Sequence, residues 1–83
     1  MILDLITPSE KIFSGEVSSV SFPGTDGHFQ VLKGHAPMIS TLTNGTVKIK
    51  DEKGEHKIMI GGGVMEILND KITLLADSVL KNS

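Results

Sequence analysis

The sequence predicts an all-β protein, a flattened antiparallel β-sandwich or barrel of about eight to ten short strands. Turn signals recur at about eight to twelve residues, apolar and polar residues alternate between them, and no stretch requires a helix. The chain has 83 residues and is predicted to form a single domain, residues 1–83, with residues 78–83 as a C-terminal tail. A chain of this size buries only about 60 to 65% of its unfolded surface, so its core is modest.

Composition excludes several classes of function. Cysteine is absent, so neither disulfides nor thiolate metal sites hold the fold together. Eight lysines without arginine, against ten acids, give a net charge of −2, which argues against a nucleic-acid partner. The start of the chain does not resemble a signal peptide, and no apolar run approaches the ~20 residues of a membrane helix. We expect a cytosolic protein without direct membrane insertion, whose partner is a protein or a small molecule.

The first strand is predicted at residues 2–6, where two leucines share one face, and the Thr-Pro-Ser-Glu sequence at 7–10 ends it. The next strand runs from Ile12 to Phe22. Because Ser14-Gly15 interrupts its apolar residues, a bulge or bend is predicted near Gly15.

The chain is organised around residues 27–40, in which two short apolar runs flank the loop 33–37. Gly34 permits a positive φ, and Pro37 fixes φ and removes a donor, so the pattern predicts a strand, a tight corner and a second strand. This arrangement leaves His35 on a rigid, exposed loop. Such a loop is typical of a recognition surface.

Other turns follow from Gly, Pro and Asn. Pro23 to Gly27 is the densest turn signal, Asn44-Gly45 predicts a two-residue hairpin, and Asp51 to Gly54 predicts another turn. The final strands are predicted on either side of an Asn69-Asp70 turn, and a frayed end or a turn of helix is predicted for Asp77 to Ser83.

No residues in the sequence form a convincing catalytic or metal site. The glycines at 61–63 precede a strand and not a helix, so they favour a bulge or a close backbone approach over a phosphate site. His28, His35 and His56 lack the spacing of a metal site, and no serine lies in a nucleophile elbow. We therefore expect no enzyme activity, no metal and no cofactor. From the residues alone, the chain is a small β-sandwich, a free-standing binding module for a ligand or a protein.

Four segments resemble, in order and spacing, the N-terminal domain of the ATP synthase epsilon subunit. They are Phe13-Ser14-Gly15, residues 27–40 with Gly34-His35-Ala36-Pro37, Gly62 to Glu66, and Thr73 to Asp77. The resemblance covers nearly the whole chain. It implies a non-catalytic β-sandwich in the central stalk, or rotor, of an F-type ATP synthase, which binds the gamma subunit and the c-ring loops and helps couple proton flow to ATP synthesis. It also implies a peripheral location at the cytoplasmic face of the membrane.

The resemblance also assigns surfaces. The residues that correspond to the family's gamma-facing surface are His35, Ala36, Pro37, Met38 and Ser40. Those that correspond to the end facing the c-ring are Thr7, Asp26, Gly27 and His28. The residue after Gly27 is often acidic in the family, and here it is His28, so we expect Asp26 to supply the carboxylate.

The C-terminus departs from the family pattern. Family members commonly continue into a two-helix hairpin that inhibits ATP hydrolysis and in some cases binds ATP, whereas this sequence stops at Ser83. It is therefore interpreted as a short form without the hairpin, either natural or truncated. We expect this chain alone neither to inhibit ATP hydrolysis nor to bind ATP.

Overall fold

The computed structural model describes the backbone of residues 1–82 and the side chains of residues 1–80. Within this part of the chain there are eight strands and no helix. In chain order they are β1 (Ile2–Ile6), β2 (Lys11–Glu16), β3 (Ser19–Gly24), β4 (Gly27–Leu32), β5 (Met38–Asp51), β6 (Gly54–Leu68), β7 (Lys71–Ala76) and β8 (Val79–Asn82). The predicted all-β class is confirmed.

The strands form one continuous sheet in the order β2-β1-β7-β6-β5-β3-β4, with β8 paired to β6. All neighbours are antiparallel except β1 and β7, which run parallel. The two long strands take part in both halves of the sheet: the end of β6 pairs with β7, whereas its beginning pairs with β8. We call the half with β1, β2 and β7 the first layer and the half with β3, β4 and β8 the second layer.

The two layers bury their apolar faces against each other in a single hydrophobic cluster. Leu3 and Leu5 from the first layer and Phe22 from the second have no exposed surface, as the alternation of these strands predicts. Phe13 and Phe29 are partly buried against the same cluster. All three aromatic side chains therefore stabilise the core.

The glycines of β6 allow the sheet to fold over between the layers. Ile58 and Ile60 are buried before the glycines, whereas Met65 and Ile67 are buried after them, so the inward face changes from even to odd positions. Gly62 and Gly63, at φ of +84° and +155°, provide this change. A Cβ on Gly63 would overlap the Leu75 carbonyl oxygen and lie 2.9 Å from the Ala76 Cα. The predicted close backbone approach is confirmed.

The hairpin predicted at Asn44-Gly45 is wrong, because both residues lie inside β5, opposite Gly61 and Ile60 of β6. Gly45 meets a steric need: a Cβ there would lie 2.7 Å from the Cβ of Pro23. The pair therefore lies where β5 crosses between layers, not where the chain reverses.

Three further expectations need correction. The bulge or bend predicted near Gly15 lies elsewhere: Gly15 pairs regularly with Leu3, and the irregularity in the β1–β2 pair falls between Leu5 and Ile6. The single strand predicted from Ile12 to Phe22 is two strands, because β2 ends at Glu16 and β3 begins at Ser19. The helical turn considered after Asp77 is not formed, because residues 79–82 form β8 against β6. The predicted turns at 23–27, 33–37, 51–54 and 69–70 all connect strands.

In the described residues, no helix is long and apolar enough to cross a membrane.

Candidate docking surfaces

The loop between β4 and β5, residues 33–37, forms an exposed corner at one end of the sandwich. Gly34 adopts a φ of +84°, which favours glycine. The loop is closed by a hydrogen bond of 3.2 Å from the His35 amide to the Leu32 carbonyl oxygen. Pro37 then leads into β5 and has no N–H that would need a partner. The corner is therefore a conformationally defined feature that faces solvent.

A shallow groove of about 350 Å³ lies beside the corner. We call it the corner groove, and its lining residues are Pro37, Met38, Ile39, Glu66, Ile67 and Leu68. Ile39 is 69% exposed and Leu68 is 49% exposed. Large apolar side chains that are exposed together, unlike scattered ones, mark protein interaction sites. The corner groove is therefore a candidate docking site for a protein.

The structure brings together most of the residues predicted to face gamma. Those exposed on the corner itself are His35, Ala36 and Pro37. Met38 is half-buried and lines the corner groove. Ser40 is also half-buried, and its hydroxyl donates a hydrogen bond of 3.1 Å to the Thr41 carbonyl oxygen. Alternation along β5 places Ser40 on the opposite face of the strand from Ile39. Their contact with gamma stays a prediction.

The turn between β3 and β4 carries the second predicted surface. Asp26 is exposed in the turn, and Gly27 and His28 line a groove of about 740 Å³. Thr25 fixes the turn against β5: its amide donates to the Thr41 carbonyl oxygen at 3.2 Å, and the two threonine hydroxyls lie 2.9 Å apart. The turn thus presents one carboxylate and one imidazole on a supported backbone.

Thr7, the remaining residue of the predicted c-ring surface, lies in the turn that follows β1. Its side chain is only 9% exposed, and its hydroxyl donates to the Glu10 carbonyl oxygen at 3.2 Å and lies 3.3 Å from the Ser9 hydroxyl. These contacts close the turn after β1, which is an ordinary structural role for threonine. A c-ring contact by Thr7 stays a prediction, with its hydroxyl already engaged.

The corner and the Asp26–His28 turn lie at opposite ends of β4, which begins at Gly27 and ends at Leu32. Six extended residues span about 20 Å. The antiparallel pairing of β4 with β3 holds this distance fixed. The molecule therefore presents two different surfaces, one at each end of the same strand.

A small ionic cluster lies next to the corner. The Gly34 amide donates to Asp70 Oδ1 at 3.3 Å, and Asp70 Oδ2 lies 3.5 Å from the Met1 amino nitrogen. The amino group also donates to Glu16 Oε2 at 2.5 Å. The hydrogen bond to Glu16 raises the pKa of the amino group, desolvation opposes this, and the charge of Asp70 adds to the increase. The corner is thus tied to charged groups of the first layer.

The described residues contain no group of three His, Cys, Asp or Glu side chains that could hold a metal ion. The three histidines are distributed over the corner, the β3–β4 turn and the β5–β6 hairpin, where His56 Nε2 lies 3.0 Å from Asp51 Oδ2. The candidate functional features of the described residues are therefore the corner groove and the β3–β4 turn.

Sequence reasoning missed Ile39 and Leu68 as surface residues. Both belong to apolar runs whose pattern predicts a strand but not which residues are exposed. The available signal was alternation: in β5, Met38 and Leu42 face inward, so Ile39 between them faces outward. Their proximity depends on the pairing of Met38 with Ile67, which local sequence does not reveal.

The fold and its exposed surfaces define this chain as an all-β sandwich domain with candidate protein-docking surfaces. The chain belongs to the family described as "ATP synthase, Delta/Epsilon chain, beta-sandwich domain", whose profile matches residues 1–82. The resemblance to the epsilon subunit is thereby confirmed. Since the epsilon chain is a non-catalytic subunit, the prediction that this chain is not an enzyme is confirmed as well.

Relatives named ATP synthase epsilon chain support the assignment. The protein of Chlorobium limicola is 45% identical over 78 residues, which cover 93% of this chain and 89% of that protein. The protein of Pelotomaculum thermopropionicum is 41% identical over 76 residues, which cover 92% of this chain but only 57% of that protein. The relatives therefore differ in length, and the match to the longer one spans little more than half of it.

Solved structures show the same fold. A chain in the cryo-EM structure of Euglena gracilis mitochondrial ATP synthase, OSCP/F1/c-ring, superposes with a TM-score of 0.89 at 23% identity, covering 96% of this chain and 52% of that chain. A chain of the Tetrahymena thermophila mitochondrial ATP synthase central stalk/c-ring gives a TM-score of 0.83 at 11% identity, covering 96% and 65%. At these identities the likeness concerns the β-sandwich alone.

Proposed function

We propose that this chain is a rotor subunit of the central stalk of an F-type ATP synthase and helps couple proton flow to ATP synthesis. It binds the gamma subunit through the corner and the corner groove, and the c-ring loops through the Asp26–His28 turn. It is peripheral to the membrane, at its cytoplasmic face. Family membership and the names of the relatives support the proposal.

The observation that carries the proposal is the corner groove with its exposed Ile39 and Leu68. Burying apolar surface contributes about 25 cal/mol per Å², so covering two such side chains favours docking of a protein. The groove adjoins His35 to Pro37, the residues that the family resemblance assigns to gamma. The exposed apolar groove and the residues assigned by the family resemblance thus lie at the same end of the molecule.

The architecture suits a part that transmits force. The proposed gamma and c-ring surfaces lie at opposite ends of β4, and the core beneath that strand is formed by buried apolar side chains. Interiors of this kind deform little. A torque applied at the turn reaches the corner through paired strands and not through a flexible linker.

Calorimetric titration of the gamma subunit with this chain tests the gamma surface. Ile39→Asp places a charge in the corner groove, and we expect it to weaken binding by at least about tenfold because an unpaired carboxylate would have to be desolvated. Met59→Asp is the matched control, since Met59 is 40% exposed but belongs to the second layer. Equal losses in both variants would contradict the assignment of the surface.

Reversal of charge at Asp26 tests the c-ring surface. We expect Asp26→Lys to weaken assembly on isolated c-rings while leaving gamma affinity unchanged. Glu52→Lys, which makes the same change in the exposed β5–β6 turn, serves as the control. Equal loss of gamma and ring binding in Asp26→Lys would be evidence against separate surfaces.

A free-standing binding module remains the alternative function. Ligand-binding sandwiches present aromatic side chains at their sites, whereas the three phenylalanines here pack in or against the core. A folded chain that fails to bind gamma would favour this alternative over the rotor subunit.

A further inference from the structure

We propose that Asp70 is the positioning residue of the corner, and that its carboxylate holds residues 33–37 in the conformation that docks a partner. Asp70 lies 36 positions from its contact, Gly34, in the turn between β6 and β7. The inference rests on the proposed function, because the corner is the proposed gamma surface.

The corner has few ties to the rest of the fold. The last ladder pair before it is Leu32 with Ser19, and the first after it is Met38 with Ile67. The hydrogen bonds of residues 33–37 otherwise stay local: the His35 amide bonds to Leu32, and the His35 ring to the carbonyl oxygen of its neighbour at 2.7 Å. Of the side chains that the structure describes, only that of Asp70 forms a hydrogen bond to the corner from another element.

Asp70 is itself fixed on two sides. Its backbone adopts a φ of +61° in the β6–β7 turn, and its carbonyl oxygen accepts a hydrogen bond of 3.1 Å from the Ile2 amide. Its second carboxylate oxygen lies 3.5 Å from the Met1 amino nitrogen. An acceptor held in this way can restrain the loop to which it binds.

The position of Asp70 relates it to the corner groove. One wall of the groove is the start of β5, which follows the corner, and the other is the end of β6, which leads to the turn of Asp70. The hydrogen bond from Gly34 therefore connects the loops that continue from the two walls. Among the described residues, it is the side-chain hydrogen bond that joins these two loops at this end of the molecule.

Three variants separate the carboxylate from the shape of the turn. Asp70→Gly keeps the positive φ and removes the acceptor. Asp70→Asn keeps the φ and an acceptor oxygen, because asparagine also tolerates left-handed geometry. Asn69→Gly is the matched control, since Asn69 has a φ of +52° in the same turn and no hydrogen bond to the corner.

The first measurement is amide hydrogen exchange at Gly34 by NMR, without any partner. We expect exchange to accelerate at least about fivefold in Asp70→Gly, the size of one lost hydrogen bond, and to stay near the wild-type rate in Asp70→Asn and Asn69→Gly. Unchanged exchange in Asp70→Gly, or equal acceleration in Asn69→Gly, would overturn the inference. A loss of overall stability would accelerate exchange at many amides together, and not at Gly34 alone.

The second measurement is gamma affinity, with the melting temperature of each variant as a check. We expect Asp70→Gly to bind at least about fivefold more weakly and Asp70→Asn to restore most of the loss. Full affinity of Asp70→Gly would overturn the docking role of Asp70. Failure of the wild type to bind gamma would instead refute the proposed function, while Gly34 exchange still decides whether Asp70 positions the corner.

Discussion

Replacement of Gly63 by alanine tests the point at which the sheet folds over between its layers. Gly63 has a φ of +155° and lies directly against β7, where an added Cβ would overlap the Leu75 carbonyl oxygen and come within 2.9 Å of the Ala76 Cα. Both are backbone atoms of a paired strand. Neither can move aside without separating β6 from β7.

The expected loss of stability follows from two terms. The unfavourable φ costs about 1–3 kcal/mol, and displacement of a packed strand costs about 1–3 kcal/mol more. Together they give about 2–6 kcal/mol, against a total stability of about 4–12 kcal/mol for a domain of this length. Since 1 kcal/mol shifts the melting temperature of such a domain by about 4–8 °C, we expect a decrease of about 8 °C or more.

Gly54→Ala is the matched control for this prediction. Gly54 has a φ of +129°, but nothing lies within 4 Å of the Cβ position. It therefore carries only the backbone term, about 1–3 kcal/mol. Urea unfolding followed by circular dichroism measures both variants. Losses that agree within about 0.5 kcal/mol would refute the reasoning, because the contact between β6 and β7 would then contribute nothing.

Three other substitutions have definite expected effects. Phe22→Ala removes a fully buried ring and should lower the free energy of unfolding by about 3–5 kcal/mol; a loss below about 1 kcal/mol in urea would argue against its place in the core. Gly45→Ala brings a Cβ within 2.7 Å of the Pro23 Cβ and should destabilise by about 1–3 kcal/mol, whereas a stabilised variant would disprove the close approach. The hydrogen bond of 2.6 Å from Ser14 lowers the pKa of Asp4 from 3.8, desolvation opposes this, and nearby lysines add to it. Because the folded pKa is lowered, this contribution is complete above the unfolded pKa and is lost as the pH falls through the folded value. Ser14→Ala should therefore reduce the acid dependence of stability, and an unchanged pH profile between pH 2 and 7 would contradict it.

The turns were predictable because their residues act locally. Pro23 to Gly27, Asp51 to Gly54 and Asn69-Asp70 each combine residues that tolerate positive φ or fix it, and each connects two strands. The same local rule failed at Asn44-Gly45. There the glycine is required by contact with Pro23 on another strand, and such a contact has no signature in the neighbouring sequence.

The candidate site was only partly predictable for the same reason. The loop of His35 to Pro37 follows from its Gly and Pro, and the structure exposes it as expected. The corner groove and the contact of Asp70 with Gly34 depend on which strands pair and in which register. Pairing of residues far apart in sequence is a property of the whole fold, so these features emerged only with the structure.

Cross-linking within the assembled ATP synthase tests the central proposal most directly. The chain has no cysteine, so single variants can carry a thiol-linked photo-cross-linker at one known position. The account predicts that Ile39→Cys links to the gamma subunit, Asp26→Cys links to a c subunit, and Gln30→Cys, exposed on β4 between them, links to neither. The account would be contradicted if Ile39→Cys linked to a c subunit and Asp26→Cys to gamma. Absence of both cross-linked products from an enzyme that contains the chain would also contradict it.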